Sequence, residues 1–410
     1  MANGLHADCF DFDEEVCAFI GEMDRGLRGE PSSLRMLPAY LDASADIPEE
    51  GDAIAVDAGG TNLRVALVRF RAGQPPEIAS KTKIPVPGAG SPVTMEAFFD
   101  RVVEQVLPIA GESDRLGMCF SFPSEILPSR DSRILCFDKE LKVTGSEGAH
   151  IAPGLNAALA RAGLPPKRVT VLNDSAAALL GELAVQPPKD YCGYVGLIFG
   201  TGMNFCYNEK ISKIAKLDAA ALPRDMQAML INTEAGGYGG FRQSACDRAL
   251  DLASVNPGEQ RFEKMVSGAY FGALALRVLK FAAEEGLFGA DALSQLHAQE
   301  GMGASDVSAF MEAFADDDDD RRMIFALLDG LLGRSAKLIS IAITAAMRQG
   351  GCCPELPVFF VAEGSSFKKS FRFQERFERM LHEYAGDDVC YELILAENHT
   401  LIGAAAAVFL

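Results

Sequence analysis

The chain has 410 residues, 49% of them apolar and 23% charged, which is enough for two domains with a hydrophobic core each. A formal net charge of −19 argues against nucleic acid or an anionic membrane as a partner, because most of the surface would repel a polyanion. A nucleotide stays possible, since it needs only a local electropositive pocket. No apolar run approaches the roughly 20 residues that cross a bilayer.

The cysteines and the start of the chain predict a soluble cytoplasmic protein. None of the ten cysteines shows metal-ligand spacing, and Cys119 and Cys206 fall in apolar runs where a thiol acts as a small buried hydrophobe. The adjacent Cys352 and Cys353 are poorly placed for an unstrained disulfide with each other. The acidic start lacks the basic-then-apolar order of a secretory signal. Reduced thiols in the cytoplasm are the simplest expectation.

Hydrophobic periodicity predicts a first set of alternating strands and helices. An opening helix and a connector lead into strands, a helix, a further strand, a Gly- and Ser-rich loop region to residue 151, and then helix, strand and helix. The predicted helices are 13–29, 94–109, 155–162 and 175–184, and the strands lie within 53–83, 115–121 and 169–172.

A second set begins at Tyr194 with another hairpin. Its predicted helices are 263–285, 323–347 and 371–384, and its later strands are 358–361 and 391–395. The acidic run at 316–320 is predicted to be a solvated loop or a helix start. Since both sets open with a hairpin whose Gly-rich turn carries Thr and Asn, the pattern predicts two similar α/β domains that face each other across a cleft.

The two Gly-rich turns are the candidate phosphate sites. The first lies in Asp57-Ala-Gly-Gly-Thr-Asn-Leu-Arg64 and the second in Gly200-Thr-Gly-Met-Asn204. Glycine permits positive φ and lets backbone N–H groups approach an anion. Thr61, Asn62 and Thr201 add side-chain donors, and Arg64 adds a positive charge. Each turn alone is typical of an ordinary hairpin, and neither is a Walker loop, but together they favour phosphate binding.

Two carboxylates accompany these turns. Asp57 ends the first strand, where it either satisfies turn amides or takes Mg²⁺, directly or through water. Asp174 follows the strand 169–172 and precedes a helix, so it is either the N-cap or a catalytic base. Asn173 and Ser175 compete for the same cap, and spacing alone leaves both interpretations of Asp174 open. A carboxylate between two polyanion-binding turns favours phosphoryl transfer.

These motifs resemble those of the hexokinases of the eukaryotic glucokinase type. The resemblance extends over nearly the full length of the chain. The segments that carry the resemblance are Ser32–Tyr40, Asp57–Arg64, Phe120–Pro123, Lys139–Gly148, Val171–Asp174, Gly196–Tyr207, Asn232–Glu234, Gln260–Gly268 and Glu363–Ser365. The resemblance implies an α/β, actin-like ATPase (ribonuclease H-like) duplicated fold with two domains around a cleft. It implies a small domain over 53–190 completed by 396–410, and a large domain over 191–395 with 1–52.

The resemblance also implies the activity: ATP-dependent phosphorylation of a hexose, glucose above all, at its 6-hydroxyl with Mg²⁺, as the first step of glycolysis. Asp174 would be the base. The implied sugar-binding residues are Ser121, Phe122, Pro123, Lys139, Asn173, Asn204, Glu234, Gln260 and Glu263. The implied ATP-binding residues are Asp57, Gly59, Gly60, Thr61, Asn62, Arg64, Gly200, Thr201, Gly202, Gly364 and Ser365, with Asp57 taking the metal through water.

The residue types agree with this activity, although individual members have structural alternatives. A site rich in carboxylates, amides and one ammonium can satisfy many sugar hydroxyls. Glu263 could instead complement a helix dipole, and Lys139 could be a solvated surface lysine. The sequence departs from the family pattern at Asp138, Ser124 and Met203, which leaves the preferred hexose open. The alternatives are a non-catalytic hexose sensor and a kinase for another hexose or an amino sugar; the oligomeric state stays open.

Overall fold

A computed structural model describes the chain except for residues 1–3, 48–49, 138–140, 187–188, 219–221, 224–225, 317, 387–388 and 397–398, and except for the side chains of 290–293. The strands are β1 Leu37–Pro38, β2 Gly51–Ala58, β3 Asn62–Arg71, β4 Gln74–Pro85, β5 Val93–Thr94, β6 Arg115–Phe120, β7 Ser124–Ile126, β8 Ser132–Ile134, β9 Val143–Thr144, β10 Arg168–Leu172, β11 Gly193–Phe199, β12 Met203–Lys210, β13 Ala228–Asn232, β14 Val358–Glu363 and β15 Tyr391–Leu395. The helices are α1 Phe12–Arg28, α2 Met95–Val106, α3 Ile151–Arg161, α4 Asp174–Val185, α5 Ala245–Leu252, α6 Arg261–Val266, α7 Gly268–Glu284, α8 Ala290–Ala298, α9 Ala304–Glu312, α10 Asp319–Gly350, α11 Ser365–Lys369, α12 Phe373–Tyr384 and α13 Thr400–Ala407.

Two sheets repeat one topology. The first has the order β10-β6-β2-β3-β4, and the second has the order β1-β13-β12-β11-β14-β15. In each, a hairpin of two antiparallel strands (β2–β3, β11–β12) continues into a third antiparallel strand, while two parallel strands extend the other side. This repetition confirms the predicted duplication and is the arrangement of the actin-like, ribonuclease H-like fold.

Helix α13 returns from the C-terminal part of the chain to cover the first sheet. Its four alanines, Leu401 and Ile402 are buried against α4 and the strands β2 and β6. Glycine makes this close approach possible: a Cβ at Gly117 would lie 1.7 Å from the Ala404 carbonyl oxygen, and one at Gly403 would lie 1.8 Å from the Ala177 carbonyl oxygen. Residues 400–407 therefore pack with the strand that carries Asp57. The predicted domain boundaries themselves stay a prediction.

Most predicted elements are present, with two differences. The helix predicted over 263–285 is wrong as one element, because Ser267 has extended dihedrals (φ −75°, ψ 155°) and separates α6 from α7. The loop region between residues 121 and 151 contains the short strands β7, β8 and β9. The acidic run does start a helix, since the Asp318 side chain accepts from the Arg321 amide at 2.7 Å. No helix in the described ranges is both long and apolar enough to cross a membrane.

A buried ion pair joins three helices of the second half. Arg334 of α10 is fully buried and donates to both carboxylate oxygens of Asp247 in α5, at 2.8 and 3.0 Å. The same guanidinium donates to the carbonyl oxygens of Gly4 and Met265. These bonds satisfy two charges that would otherwise be unpaired in the core.

We expect Arg334→Met to lower the free energy of unfolding by about 3–5 kcal/mol, because it leaves the Asp247 carboxylate buried without its partner. Thermal and urea unfolding midpoints measure the loss. The matched control is Arg322→Met, which removes a guanidinium whose contacts with Asp316 and Asp319 are solvent-exposed. Equal shifts for the two variants would contradict the importance of the buried pair.

Candidate active site

Asp57 is held by two neighbours at the end of β2. It is buried, with 3% of its surface exposed, and it lies opposite Arg64 in the β2–β3 register. An Arg64 guanidinium nitrogen lies 2.9 Å from Asp57 Oδ2, and the Thr400 hydroxyl donates to the same oxygen at 3.0 Å. The Arg64 Nε is buried and has no hydrogen-bond partner in the described part of the chain. Arg64 therefore holds Asp57, while its buried Nε–H group has no partner among the described residues.

The first Gly-rich turn is a tight hairpin beside Asp57. The Gly59 amide donates to the Asn62 carbonyl oxygen at 3.1 Å, and the Val86 amide donates to the Thr61 carbonyl oxygen at 3.1 Å. Gly60 and Asn62 are half-buried and Thr61 is exposed, so the tip of the turn is accessible. The expectation that the glycines of these turns have positive φ is wrong for both turns. Gly59, Gly60, Gly200 and Gly202 are outside the left-handed region.

Hydrogen bonds from α7 and α11 hold the second turn, and a glycine in the turn leaves room for a neighbouring side chain. The Gly268 and Ala269 amides at the start of α7 donate to the carbonyl oxygens of Gly200 and Thr201. The Ser366 hydroxyl also donates to the Gly200 carbonyl oxygen, at 2.8 Å. A Cβ at Gly202 would lie 2.7 Å from Glu263 Oε2. The turn is thus rigid, and its Thr201 side is exposed.

Gly364 brings the end of β14 against this turn. Its φ of 122° and the 2.2 Å separation between an ideal Cβ and the Phe199 carbonyl oxygen restrict the position to glycine. Ser365 follows as the first residue of α11, with its amide 3.5 Å from the position of a Cβ on Gly200. The structure therefore brings Gly364 and Ser365 directly beside Gly200, as the ATP-site prediction requires.

Asn173 is the N-cap of α4. Its side-chain oxygen accepts from the Ser175 amide at 2.9 Å and from the Ser175 hydroxyl at 2.8 Å. Asp174 is the first helical residue; its Oδ1 also accepts from the Ser175 amide at 2.9 Å, and its side chain is half-buried. Because Asn173 fills the cap, capping no longer explains the carboxylate at 174.

Three carboxylates converge near the turns: Asp57, Asp174 and Glu363. Burial raises the pKa of Asp57 against the opposing effects of Arg64 and Thr400, and the charge of Asp174 raises it further. Burial, followed by the charges of Asp174 and Asp57, raises the pKa of Glu363 to about 7. The sequence prediction gave Glu363 no role of its own, although it belongs to the family-like segment Glu363–Ser365. Like-charge crowding of this kind is common at functional sites.

Four predicted sugar-binding side chains form one cluster, in two parts. In the first, Asn204 Nδ2 donates to Asn232 Oδ1 at 2.7 Å, and Asn232 Nδ2 donates to Glu234 Oε1 at 2.8 Å. Asn204 Oδ1 accepts from the amides of Phe205 and Ala235. Asn232 was missed by the site prediction, although it is the amide that connects Asn204 with Glu234.

The second part of the cluster comes from Gln260, the residue before α6, and from Glu263 in the first turn of α6. Glu263 Oε2 accepts from the Met203 amide at 2.9 Å. A Cβ at Gly236 would lie 2.5 Å from Gln260 Oε1 and 3.1 Å from Glu263 Cβ, so Gly236 allows both side chains to approach. Gln260 and Glu234 both have positive φ, 49° and 55°. Non-glycine residues held in this conformation are frequent at ligand sites.

Residues 121–123, which are also predicted to bind the sugar, are not among the four side chains of that hydrogen-bonded cluster. The Ser121 amide donates to the Ala58 carbonyl oxygen at 3.1 Å, which ties the end of β6 to the end of β2. Phe122 is buried, and its ring packs on Phe120 and Phe137 at centroid distances of 5.1 and 4.8 Å. Its sugar role, like that of the half-buried Pro123, stays a prediction. Lys139 and Asp138 lie outside the described residues.

The acidic and phosphate-binding groups suit Mg²⁺ carried by a triphosphate. The described residues contain no cluster of three or more His, Cys, Asp or Glu side chains that would bind a metal by themselves. Magnesium commonly uses only one or two carboxylates together with phosphates and several waters. A buried Glu363 oxygen without a partner and the carboxylate of Asp57 are donors of that kind.

Comparisons with known proteins agree on one family. The hexokinase family profiles match residues 2–183 and 194–410. Hexokinase-1 of Schizosaccharomyces pombe is 29% identical over 420 residues, covering 94% of this chain and 85% of that protein. Human hexokinase-3 is 30% identical over 402 residues, covering 88% of this chain. The chain spans only about two fifths of the length of the human protein (41%).

A solved structure extends the agreement to the fold. The hexokinase from Schistosoma mansoni complexed with glucose has a TM-score of 0.79 and 26% sequence identity, and the match covers 97% of this chain and 94% of that chain. A second hexokinase crystal structure has a TM-score of 0.78 at 22% identity, over 99% of this chain and 97% of the other. Together with the repeated sheet topology and the matched segments, these similarities show that the chain belongs to the hexokinase family.

Proposed function

We propose that the protein transfers the γ-phosphoryl group of ATP to the 6-hydroxyl of a hexose, with glucose as the expected substrate, giving hexose 6-phosphate and ADP. The observation that carries the proposal is the position of Asp174: Asn173 caps α4, and the Asp174 carboxylate, which shares the Ser175 amide, lies within electrostatic reach of Asp57 and Glu363. The related Schistosoma mansoni hexokinase was solved in complex with glucose, which supports the hexose assignment.

Asp174 would accept the proton of the attacking hydroxyl as the bond to phosphorus forms. Its carboxylate is half-buried, so partial exclusion of water strengthens its interactions. The Ser175 amide bond to Oδ1 fixes the orientation of the carboxylate, which leaves Oδ2 as the oxygen that takes the proton. The base would therefore be oriented before the sugar binds.

The amide and carboxylate cluster would bind the sugar hydroxyls. Asn204, Glu234, Gln260 and Glu263 offer both donors and acceptors, and the hydrogen bonds within the cluster fix side chains before the sugar binds. Sugars that lack a hydroxyl would leave some of these groups unpaired, which is how a polar site discriminates. Closure of two domains over the sugar would exclude water as a competing acceptor of the phosphoryl group.

The two Gly-rich turns would bind the phosphates, and Asp57 would orient a bound magnesium ion through water. Magnesium supplies neutralisation of the phosphate charge when it is bound. Arg64 holds Asp57 and offers its unpaired Nε to a phosphate oxygen. We place this activity in the cytoplasm, as the first step of glycolysis.

A sugar panel tests the proposal as a whole. Release of ADP is measured with glucose, mannose, fructose, glucosamine and no sugar, and binding of each sugar is followed by calorimetry. A hexose-dependent release of ADP is the expected result. Glucose binding without ADP release would support a non-catalytic sensor, and preference for another sugar would change the substrate.

We expect Asp174→Asn to reduce kcat by about 10²–10⁴-fold, the range of a lost general base, while hexose binding persists. An asparagine oxygen can still accept from the Ser175 amide, so the start of α4 stays intact. Steady-state kinetics and hexose calorimetry give the two readouts. Asp114→Asn, at an exposed pair with Arg168, is the control. A near-normal kcat would refute the role of Asp174.

We expect Glu263→Gln to raise the KM for hexose by about 10-fold, because a bond to a charged group contributes more than one to a neutral group. The Met203 amide keeps a carbonyl acceptor, which limits damage to the turn. Glu259→Gln is the control, since Glu259 is exposed in the loop that precedes α6. If both variants had the same KM as the unmodified protein, Glu263 would be structural only.

We expect Thr400→Val to weaken use of MgATP by about 10-fold, because it removes one hydrogen bond to the Asp57 carboxylate without changing side-chain volume much. Thr400→Ser should restore wild-type values, since the hydroxyl returns. The readouts are the KM for MgATP and the KM for hexose. If Thr400 positions Asp57, the KM for MgATP changes and the KM for hexose does not. Equal changes in both KM values, or no rescue by Thr400→Ser, would contradict this positioning role.

A further inference from the structure

Glu363 lies where the second sheet meets the phosphate turn. It is the last residue of β14, is paired in register with Ile198 of β11, and directly precedes Gly364. Gly364 packs against the Phe199 carbonyl oxygen and the Gly200 amide nitrogen. The glutamate is therefore held at the base of the second turn by two strands, rather than by a loop.

One oxygen of this carboxylate is buried without a partner. Glu363 Oε2 is inaccessible to solvent and accepts no hydrogen bond in the described part of the chain. Burying a carboxylate oxygen without a hydrogen-bond partner costs free energy. A hydrogen-bond donor or a cation that binds together with a ligand would remove this cost. The position beside Gly364 and Gly200 indicates a ligand that reaches this turn.

Negative charge exceeds positive charge at Glu363. Glu363 itself, Asp57 and Asp174 are three carboxylates, whereas Arg64 and Lys368 are two cations that act on Glu363. Arg64 is paired with Asp57 at 2.9 Å, and Lys368 donates to the Ala396 carbonyl oxygen. A triphosphate would add more negative charge to the same place. A divalent cation that binds with the nucleotide would correct this excess.

We propose that Glu363 is, in addition to Asp57, a second carboxylate of the metal–triphosphate site and would accept a hydrogen bond from a water of the Mg²⁺ hydration shell. The proposal rests on the proposed function, because it takes the nucleotide to bind between the two turns. Magnesium keeps several waters in such sites, and two carboxylates from different sheets can hold those waters without a three-ligand cluster in the described residues.

The test measures metal binding without turnover. Mn²⁺ replaces Mg²⁺, and its affinity is measured by electron paramagnetic resonance in the complex with an ATP analogue that cannot transfer its γ-phosphoryl group, in the absence of sugar. We expect Glu363→Gln to weaken Mn²⁺ binding in this complex about 10-fold, while metal-free analogue binding is unchanged or tighter. Glu355→Gln, at an exposed position before β14, should leave both affinities unchanged.

The proposal is overturned if Glu363→Gln binds Mn²⁺ with wild-type affinity, because that result would exclude a metal role. The same affinity together with a large loss of kcat would instead make Glu363 a proton acceptor. Glu363→Asp, which withdraws the carboxylate by one methylene, is the second variant and should weaken Mn²⁺ binding less than glutamine does. Absence of ADP release with every sugar would refute the proposed kinase activity, whereas the Mn²⁺ measurement would still report on Glu363.

Discussion

The candidate active site depends on three carboxylates that are held close together where the two sheets meet. Asp57 is buried at the end of β2, Asp174 is half-buried at the start of α4, and Glu363 lies at the end of β14 with one oxygen buried. The charge of Asp174 acts on both Asp57 and Glu363. Such crowding is unfavourable in the empty protein, and Arg64 relieves only part of it. The fold maintains it because strands and a capped helix, rather than loops, fix all three backbones.

The environment of each carboxylate gives it a separate task. Asp57 is held by two donors, Arg64 and Thr400, which favour its ionised form against the burial that raises its pKa and which fix the orientation of its carboxylate. Asp174 keeps partial exposure and a single amide bond, which suits a group that exchanges a proton with a substrate. The cap at Asn173 is what makes this division possible, because it satisfies the helix start independently of Asp174.

Sequence reasoning predicted the parts of the site that are local in the chain. The hairpin turns, Asp57, Asp174 and the Asn204–Glu234–Gln260–Glu263 set were predicted from short segments. The structure brings the side chains of that set together, and their functional roles stay predictions. Thr400 was not found, since its bond to Asp57 spans 343 residues and a threonine at a helix start is an ordinary cap residue. The break at Ser267 was also missed, because apolar periodicity continues across it and only the two carbonyl groups of the second turn explain the interruption. Phe122 was predicted from its neighbours in sequence, whereas its ring packs in the aromatic core.

The return of α13 to the first sheet has a consequence for how the protein is made. On the ribosome, β2 emerges 343 residues before the hydroxyl that binds its terminal aspartate. Until then, the surface around Gly117 that receives the Ala404 backbone is uncovered, and a chain still attached to the ribosome exposes apolar strand surface. Completion of the surroundings of Asp57 is thereby delayed until translation reaches residues 400–407, so this part of the fold cannot form fully before α13 has been made.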